Sequence, residues 1–247
     1  MIGNNQNNFY TSISKYYSEI FPYNPVQLQF VKNRAGELAG KQILDIGCAT
    51  GELAFQVAGE NAKVTGIDLN TDLLQQAQSI KSHSNVVFQK GNMLELANDF
   101  HPAEFDTVLC FGNTLVHLQS AELIQKMLAG VSYVLKPGGH FLLQILNYDY
   151  IVGEQVSELP VIESENIKFI RKYIFDENSP LVRFQTDLVL KKENTTISNE
   201  TLLLALKSRQ LKELLEQTGF SGIEWFSNFK KEPFGGNHLP LVLSCRK

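Results

Sequence analysis

The sequence has little with which to build covalent or metal cross-links. Its three cysteines, Cys48, Cys110 and Cys245, are an odd number without C-x-x-C spacing. Reduced thiols in a cytoplasmic protein are expected, and no disulfide framework or zinc site. Basic charge is also scarce: 22 Lys and Arg against 26 Asp and Glu leave a net charge of −4. A nucleic-acid substrate, whose phosphates demand a basic footprint, is disfavoured. Apolar runs such as Phe141 to Leu146 fall far short of the roughly 20 residues that a membrane-crossing helix needs. The polar opening Met1-Ile2-Gly3-Asn4 lacks the charged start and apolar core of a secretory signal. There is no internal repeat and no low-complexity linker. What is present is 43% hydrophobic residues in a chain of 247, enough for one large domain or a domain carrying an insertion.

The stretch Ile43 to Ala54, I-L-D-I-G-C-A-T-G-E-L-A, carries the strongest local signal. Ile43, Leu44 and Ile46 predict a buried parallel strand. The small-residue turn Gly47-Cys48-Ala49-Thr50-Gly51 then passes into Leu53, Ala54, Phe55, Val57 and Ala58 at helical spacing. Strand, tight turn and helix N-terminus make a ligand site, since glycine lets backbone approach closely and the first helical N–H groups point outward. The register of the glycines differs from the dinucleotide pattern, and Asp45 just before the turn repels a pyrophosphate. An acid there suits a cation or an amine, which makes a nicotinamide dehydrogenase a distant reading.

Further along, Ala62 to Asp68 reads as a second strand ending in an acid, one strand–helix unit after the turn, where a carboxylate can accept from both hydroxyls of a ribose. The plain alternative is that Asp68 only caps the helix starting near Thr71. Val86 to Gln89 reads as a third strand, followed by Asn92 and Met93. Phe105 to Phe111 reads as a fourth, running into Gly112-Asn113-Thr114-Leu115-Val116-His117. A helix from Leu123 to Val134 and a Lys136-Pro137-Gly138-Gly139 turn lead to a fifth strand, Phe141 to Leu146, closed by Asn147-Tyr148-Asp149.

Asp45-x-Gly47-x-Ala49-x-Gly51 resembles motif I of the class I S-adenosylmethionine-dependent methyltransferases, with alanine where glycine is more common. The Leu135-Lys136-Pro137-Gly138-Gly139 turn is a second hallmark. The resemblance covers roughly 40–148 and 208–247. It implies that Asp45, with the turn residues Gly47, Cys48, Ala49 and Gly51, holds the amino end of S-adenosyl-L-methionine. Asp68, with Leu69 beside it, would hold the ribose, and Asn92 and Met93 the adenine. Phe111, Gly112 and Asn113 would wall the methionine side. Within the family, Cys110 to Leu118 and Asn147-Tyr148-Asp149 look like glycine and sarcosine N-methyltransferases, which carry an antiparallel insertion after strand five.

Before the motif, Tyr10, Ile13, Tyr16, Tyr17 and Ile20 predict an amphipathic helix over Phe9–Phe21, after eight residues expected to fray. A second helix, Val26 to Leu38, is expected to end at Gly40. Past residue 150 the segments 168–175, 182–190 and 195–204 alternate as a three-stranded meander. A helix from Arg209 to Gln217 and strands Ile223 to Phe229 and Leu239 to Cys245 follow. The last two strands lack a connecting helix and should pair antiparallel.

The expected fold is α/β: a Rossmann-like, seven-stranded, mostly parallel sheet with an antiparallel last strand, plus a small antiparallel β insertion after strand five. Residues 1–39 would form a helical lid, 40–148 and 206–247 the cofactor-binding domain, and 149–205 a roof over the substrate. The expected activity is methyl transfer to a small molecule, on an amine nitrogen in preference to oxygen, with room for a homodimer. Methylation of RNA or protein and a non-catalytic cofactor-binding module are the alternatives. His117 is the candidate base or substrate contact, against a histidine bonded to neighbouring backbone. Tyr10, Tyr16 and Tyr148 are candidates to close over the cofactor or face the acceptor. Arg171 and Arg183 are candidates for a substrate anion, against a solvated strand face. No metal is expected.

Overall fold

The computed structural model describes residues 2–80 and 83–247. The chain opens with helix α1, Ile2–Ile13, so the Asn-rich start is helical where fraying was expected. A 3-10 turn over Ser14–Tyr16 separates it from the single-turn helix α2, Tyr17–Ile20. Helix α3, Pro25–Ala35, starts on an Asn24 cap with proline at its first position, where a missing N–H costs nothing. It ends at Gly36, whose φ of +75° stops it four residues before Gly40.

Strands and helices then alternate: β1 Gln42–Ile46, α4 Glu52–Gly59, β2 Lys63–Asp68, α5 Thr71–Ile80, β3 Val86–Lys90, the short α6 Leu96–Asp99, β4 Phe105–Cys110, α7 Ala121–Val134 and β5 Leu135–Leu146. Helix α8, Tyr148–Gly153, follows, capped by Asn147, so Asn147-Tyr148-Asp149 opens a helix. Next come β6 Glu158–Glu163, β7 Ile167–Ile174, β8 Leu181–Leu190 and β9 Thr195–Leu204. Helix α9 Ser208–Gln217 leads to β10 Ser221–Phe226 and β11 Pro240–Arg246.

Seven strands form one sheet in the order β10-β11-β5-β4-β1-β2-β3. β11 runs antiparallel to both neighbours, and the other pairings are parallel. The order reverses between β1 and β4. In open α/β sheets a ligand crevice lies outside the carboxyl ends of strands at such a point. Here those ends carry Asp45 and Cys110. The Lys136–Gly139 turn is absorbed into β5 as an irregularity: pairing skips from Phe105/Leu135 to Thr107/His140. Gly138 there has φ +75°, and its N–H donates to the Lys247 carbonyl at 3.0 Å.

The remaining four strands form an antiparallel sheet, β6-β7-β8-β9, one strand more than the sequence indicates. β6 was hidden by Pro160, which weakens a strand pattern but is tolerated at a sheet edge. Its pairing with β7 is broken between Leu159 and Ile162. Phe9 and Ile13 of α1 pack with Phe169, Leu188 and Leu190 on one face of this sheet. Among the described residues no helix is long and apolar enough to cross a membrane.

Candidate active site

Beyond the ends of β1, β2 and β4 lies a cavity of about 390 Å³, covered by residues of α1, α2 and the segment to Gln27. The size falls within the range of small-molecule sites. Asp45, Gly47, Cys48 and Ala49 line its floor, Asp68, Leu69 and Met93 one side, Phe111 and Gly112 the other, and Tyr10 and His117 the lid side.

The turn after β1 is held by its own backbone. The N–H groups of Gly47 and Cys48 both reach the Ile67 carbonyl, at 2.8 and 3.1 Å, and the Gly51 N–H reaches the Cys48 carbonyl at 2.8 Å. The Ala49 N–H donates to Asp68 Oδ2 at 2.9 Å. These four donors are therefore spent within the protein, so the turn offers no cradle for an anion, in keeping with the acid that precedes it. Ala49 itself has φ +48°, a left-handed position that alanine fills here.

The charge of the cavity has one sign. Its lining includes Asp45, Glu52 and Asp68 and no lysine or arginine among the described residues. Asp45 is 4% exposed and has no hydrogen bond or counter-charge from those residues. Burial, and secondarily Asp68, push its pKa from 3.8 up to about 7. An unpaired buried carboxylate at a cavity wall asks for a cation from the ligand. Asp68 is raised as well, mainly by burial, against the pull of its backbone hydrogen bonds. Its Oδ1 accepts from the Asn70 N–H at 2.9 Å. Each oxygen thus has one protein donor and keeps acceptor capacity for a ligand hydroxyl. The cap of α5 is Asn70, whose Oδ1 accepts from the Leu73 N–H at 3.0 Å. Asp68 is left free of that duty.

Asn70 also fastens the lid. Its Nδ2 donates to Asn7 Oδ1 at 2.9 Å and to Thr11 Oγ1 at 3.0 Å on α1. On the lid's inner side Tyr10 Oη lies 2.9 Å from His117 Nε2. Burial lowers the His117 pKa to about 4, so the imidazole is neutral at pH 7, and its tautomer sets which of the two donates. Followed by NMR, the His117 ring is expected to titrate with a midpoint below 5. A midpoint near 6.5 would contradict this burial. Cys48 is held as a thiol by burial and by Asp45 and Asp68; it is wall, not nucleophile.

Several sequence candidates are not brought to the cavity lining. Gly51 lies beneath it, starting α4 at φ +76°. Asn92 folds onto its own backbone, accepting from the Leu94 N–H at 3.0 Å. Asn113 ties β4 to β5, its Oδ1 accepting from the Leu146 N–H at 2.9 Å and its Nδ2 donating to Tyr148 Oη at 3.3 Å. Tyr148 is 0% exposed in the core, so it faces no acceptor here. Arg183 is exposed beside buried Val182, on the outer face of β8. Arg171 is half-buried on the inner face of β7 and donates from Nη2 to the Pro160 carbonyl at 2.7 Å. Tyr16 packs against the four-stranded sheet, while its neighbour Tyr17 lines the cavity. The 3-10 turn shifts the lid's register, and helical spacing alone does not disclose that shift. Glu52 and Thr114, also on the lining, were missed. Among the described residues no cluster of His, Cys, Asp or Glu fits a metal.

Comparison with known proteins places this architecture. Residues 37–219 match the methyltransferase domain family. A ubiquinone biosynthesis O-methyltransferase of Pectobacterium atrosepticum is 34% identical over 189 residues, covering 73% of this chain and 74% of that protein. One from Serratia proteamaculans is 32% identical over 158 residues, 60% of this chain and 64% of that protein. The chain spans about half the length of other such relatives: 51% of one from Pectobacterium carotovorum, at 34% identity over 50% of this chain. Of solved structures, the CcbJ methyltransferase of Streptomyces caelestis superposes with a TM-score of 0.80 at 19% identity, over 95% of both chains. An S-adenosylmethionine-dependent methyltransferase of Clostridium acetobutylicum gives 0.77 at 16%, over 98% of this chain and 99% of that one. None of these relatives is a glycine or sarcosine N-methyltransferase. The chain belongs to the methyltransferase domain family and has the fold of the class I S-adenosylmethionine-dependent methyltransferases.

Proposed function

We propose that the chain transfers the methyl group of S-adenosyl-L-methionine to a small-molecule acceptor under the α1 lid. The observation that carries this reading is the buried, unpaired Asp45 carboxylate in a cavity with no lysine or arginine among its described lining residues. A pyrophosphate cofactor would meet repulsion there, whereas an ammionium-bearing one supplies the missing cation. Asp45 would take the cofactor's ammonium, Asp68 its ribose hydroxyls through the remaining acceptor capacity, and Met93 and Leu69 would pack on the adenine. When bound, the cofactor supplies an electrophilic methyl group on a sulfonium, open to in-line displacement.

The protein's part is positioning and exclusion of water, which contributes several kcal/mol to barrier lowering in such reactions. Tyr10, Tyr17 and the Asn70-anchored helix cover one side of the cavity and limit its access to solvent. With its Nε2–H donated to the Tyr10 hydroxyl, neutral His117 keeps Nδ1 to accept a proton from an acceptor hydroxyl or amine, though burial makes it a weak base. The O-methyltransferase relatives favour oxygen as the acceptor atom, ahead of the amine nitrogen that the sequence favours. The acidic overall charge and the roofed cavity favour a small acceptor over RNA or protein. Release of S-adenosylhomocysteine with a panel of catechols, phenols and small amines tests the reading. Turnover with at least one phenolic or amine substrate is expected. Cofactor binding without turnover on any would leave a non-catalytic binding module, and no cofactor binding would end the proposal.

A further inference from the structure

Two buried polar atoms that face each other, Arg171 Nε and Thr186 Oγ1, have no hydrogen-bond partner; Tyr173 Oη beside them has none at full hydrogen-bond geometry and is turned towards the Tyr148 hydroxyl. Register places Arg171 directly opposite Thr186 across β7 and β8. Tyr173 lies two residues along β7, hence on the same face. That is the inner face, on which Phe169, one step the other way, packs with α1. Leaving such donors unpaired in the interior is costly and rare. Arg171 has no carboxylate either: it belongs to none of the ion pairs among the described residues. Asp45 lacks a cation, and Arg171, on the roof, lacks an anion.

None of these residues lines the cavity, and the row is linked to its wall through intervening side chains. The Tyr173 and Tyr148 rings are 6.2 Å apart, and Tyr148 Oη meets Asn113, the neighbour of cavity-lining Gly112. Phe184, opposite Tyr173 on β8, contacts Phe9 at 6.1 Å, one residue from Tyr10. We propose that Arg171 and Thr186, flanked by Tyr173, form a subsite for a carboxylate on the methyl acceptor, a claim that rests on the methyltransferase reading above. A guanidinium and the Thr186 hydroxyl offer donors to the two oxygens of a carboxylate. A purely apolar tail offers them nothing. Because the atoms are buried, α1 and α8, which cover this face, must part for the group to enter.

The test uses protein loaded with S-adenosylhomocysteine and two matched pairs, 3,4-dihydroxybenzoate against its methyl ester and N-methylglycine against its amide. Calorimetry is expected to show at least one acid binding tenfold or more tighter than its neutral partner. Arg171→Met should abolish that preference and Arg171→Lys retain part of it. Thr186→Val, which removes an unpartnered hydroxyl at nearly constant shape, should weaken the acid severalfold without lowering Tm. A merely structural Thr186 would move Tm and not the preference. Affinity for S-adenosylhomocysteine should stay within about twofold in all three variants, which also reports that they fold. Absence of acid preference in both pairs, or a preference that survives Arg171→Met, overturns the subsite. Failure of wild-type protein to bind S-adenosylhomocysteine overturns the methyltransferase reading instead.

Discussion

Asp45→Asn is expected to lose roughly 100-fold or more in affinity for S-adenosylmethionine, the scale for truncating one partner of a buried charge pair. The same substitution should make the free protein more stable. In the folded chain the Asp45 pKa rises from 3.8 to about 7, chiefly through burial. The native state therefore binds more protons than the unfolded one between these values, and stability falls as pH rises through that window. Three units correspond to at most about 4 kcal/mol lost by pH 8. Asparagine cannot ionise, so its advantage should be absent near pH 4, grow up to about pH 7 and level off above. Thermal melts of both proteins across pH 4–8, with and without cofactor, give the comparison. A variant less stable than wild type at pH 8 would show that Asp45 has a protein partner after all.

Gly51→Ala is expected to cost about 2–4 kcal/mol, combining a left-handed backbone with overpacking. Gly51 has φ +76°, and an added Cβ would lie 2.3 Å from Phe88 Cζ. The ring has no easy retreat. It also covers Gly66, whose Cβ would come within 2.7 Å of it, and packs edge-on against Phe55 with centroids 5.3 Å apart. Two glycines thus let one aromatic side chain lock β2, β3 and the start of α4 under the cavity floor. Denaturant unfolding measures the loss. A loss below 0.5 kcal/mol would mean that the ring moves freely and the floor is not set by this contact.

Where the chemistry coincides with strand ends, the sequence was legible. Asp45 and Asp68 close β1 and β2 because an apolar parallel strand must stop before a charge can reach the crevice. Both line the cavity. A seven-stranded, mostly parallel sheet with an antiparallel last strand likewise followed from strand–helix alternation and the missing helix before β11. Legibility failed where long-range packing decides. Tyr16 and Tyr17 are equivalent by helical spacing, and only the Ser14–Tyr16 turn selects Tyr17. Asn113 and Tyr148 looked like site residues because they follow β4 and β5, yet they bond to each other across the sheet's end. Asn92 satisfies its own turn. β6 carries Pro160 and too few alternating residues to announce itself, although it positions the carbonyl that Arg171 grips. The lid anchor Asn70 had no signal beyond its place at the start of a helix.

The central claim is that an unpaired Asp45 receives the cofactor's ammonium. Calorimetric titration of wild-type protein with S-adenosylhomocysteine at pH 5.5, 6, 6.5, 7 and 8 tests it most directly. Since only ionised Asp45 binds the cation and its free pKa is about 7, affinity should climb about tenfold per pH unit towards 7 and then flatten. Affinity that is the same at every pH, or that falls as pH rises, would contradict it.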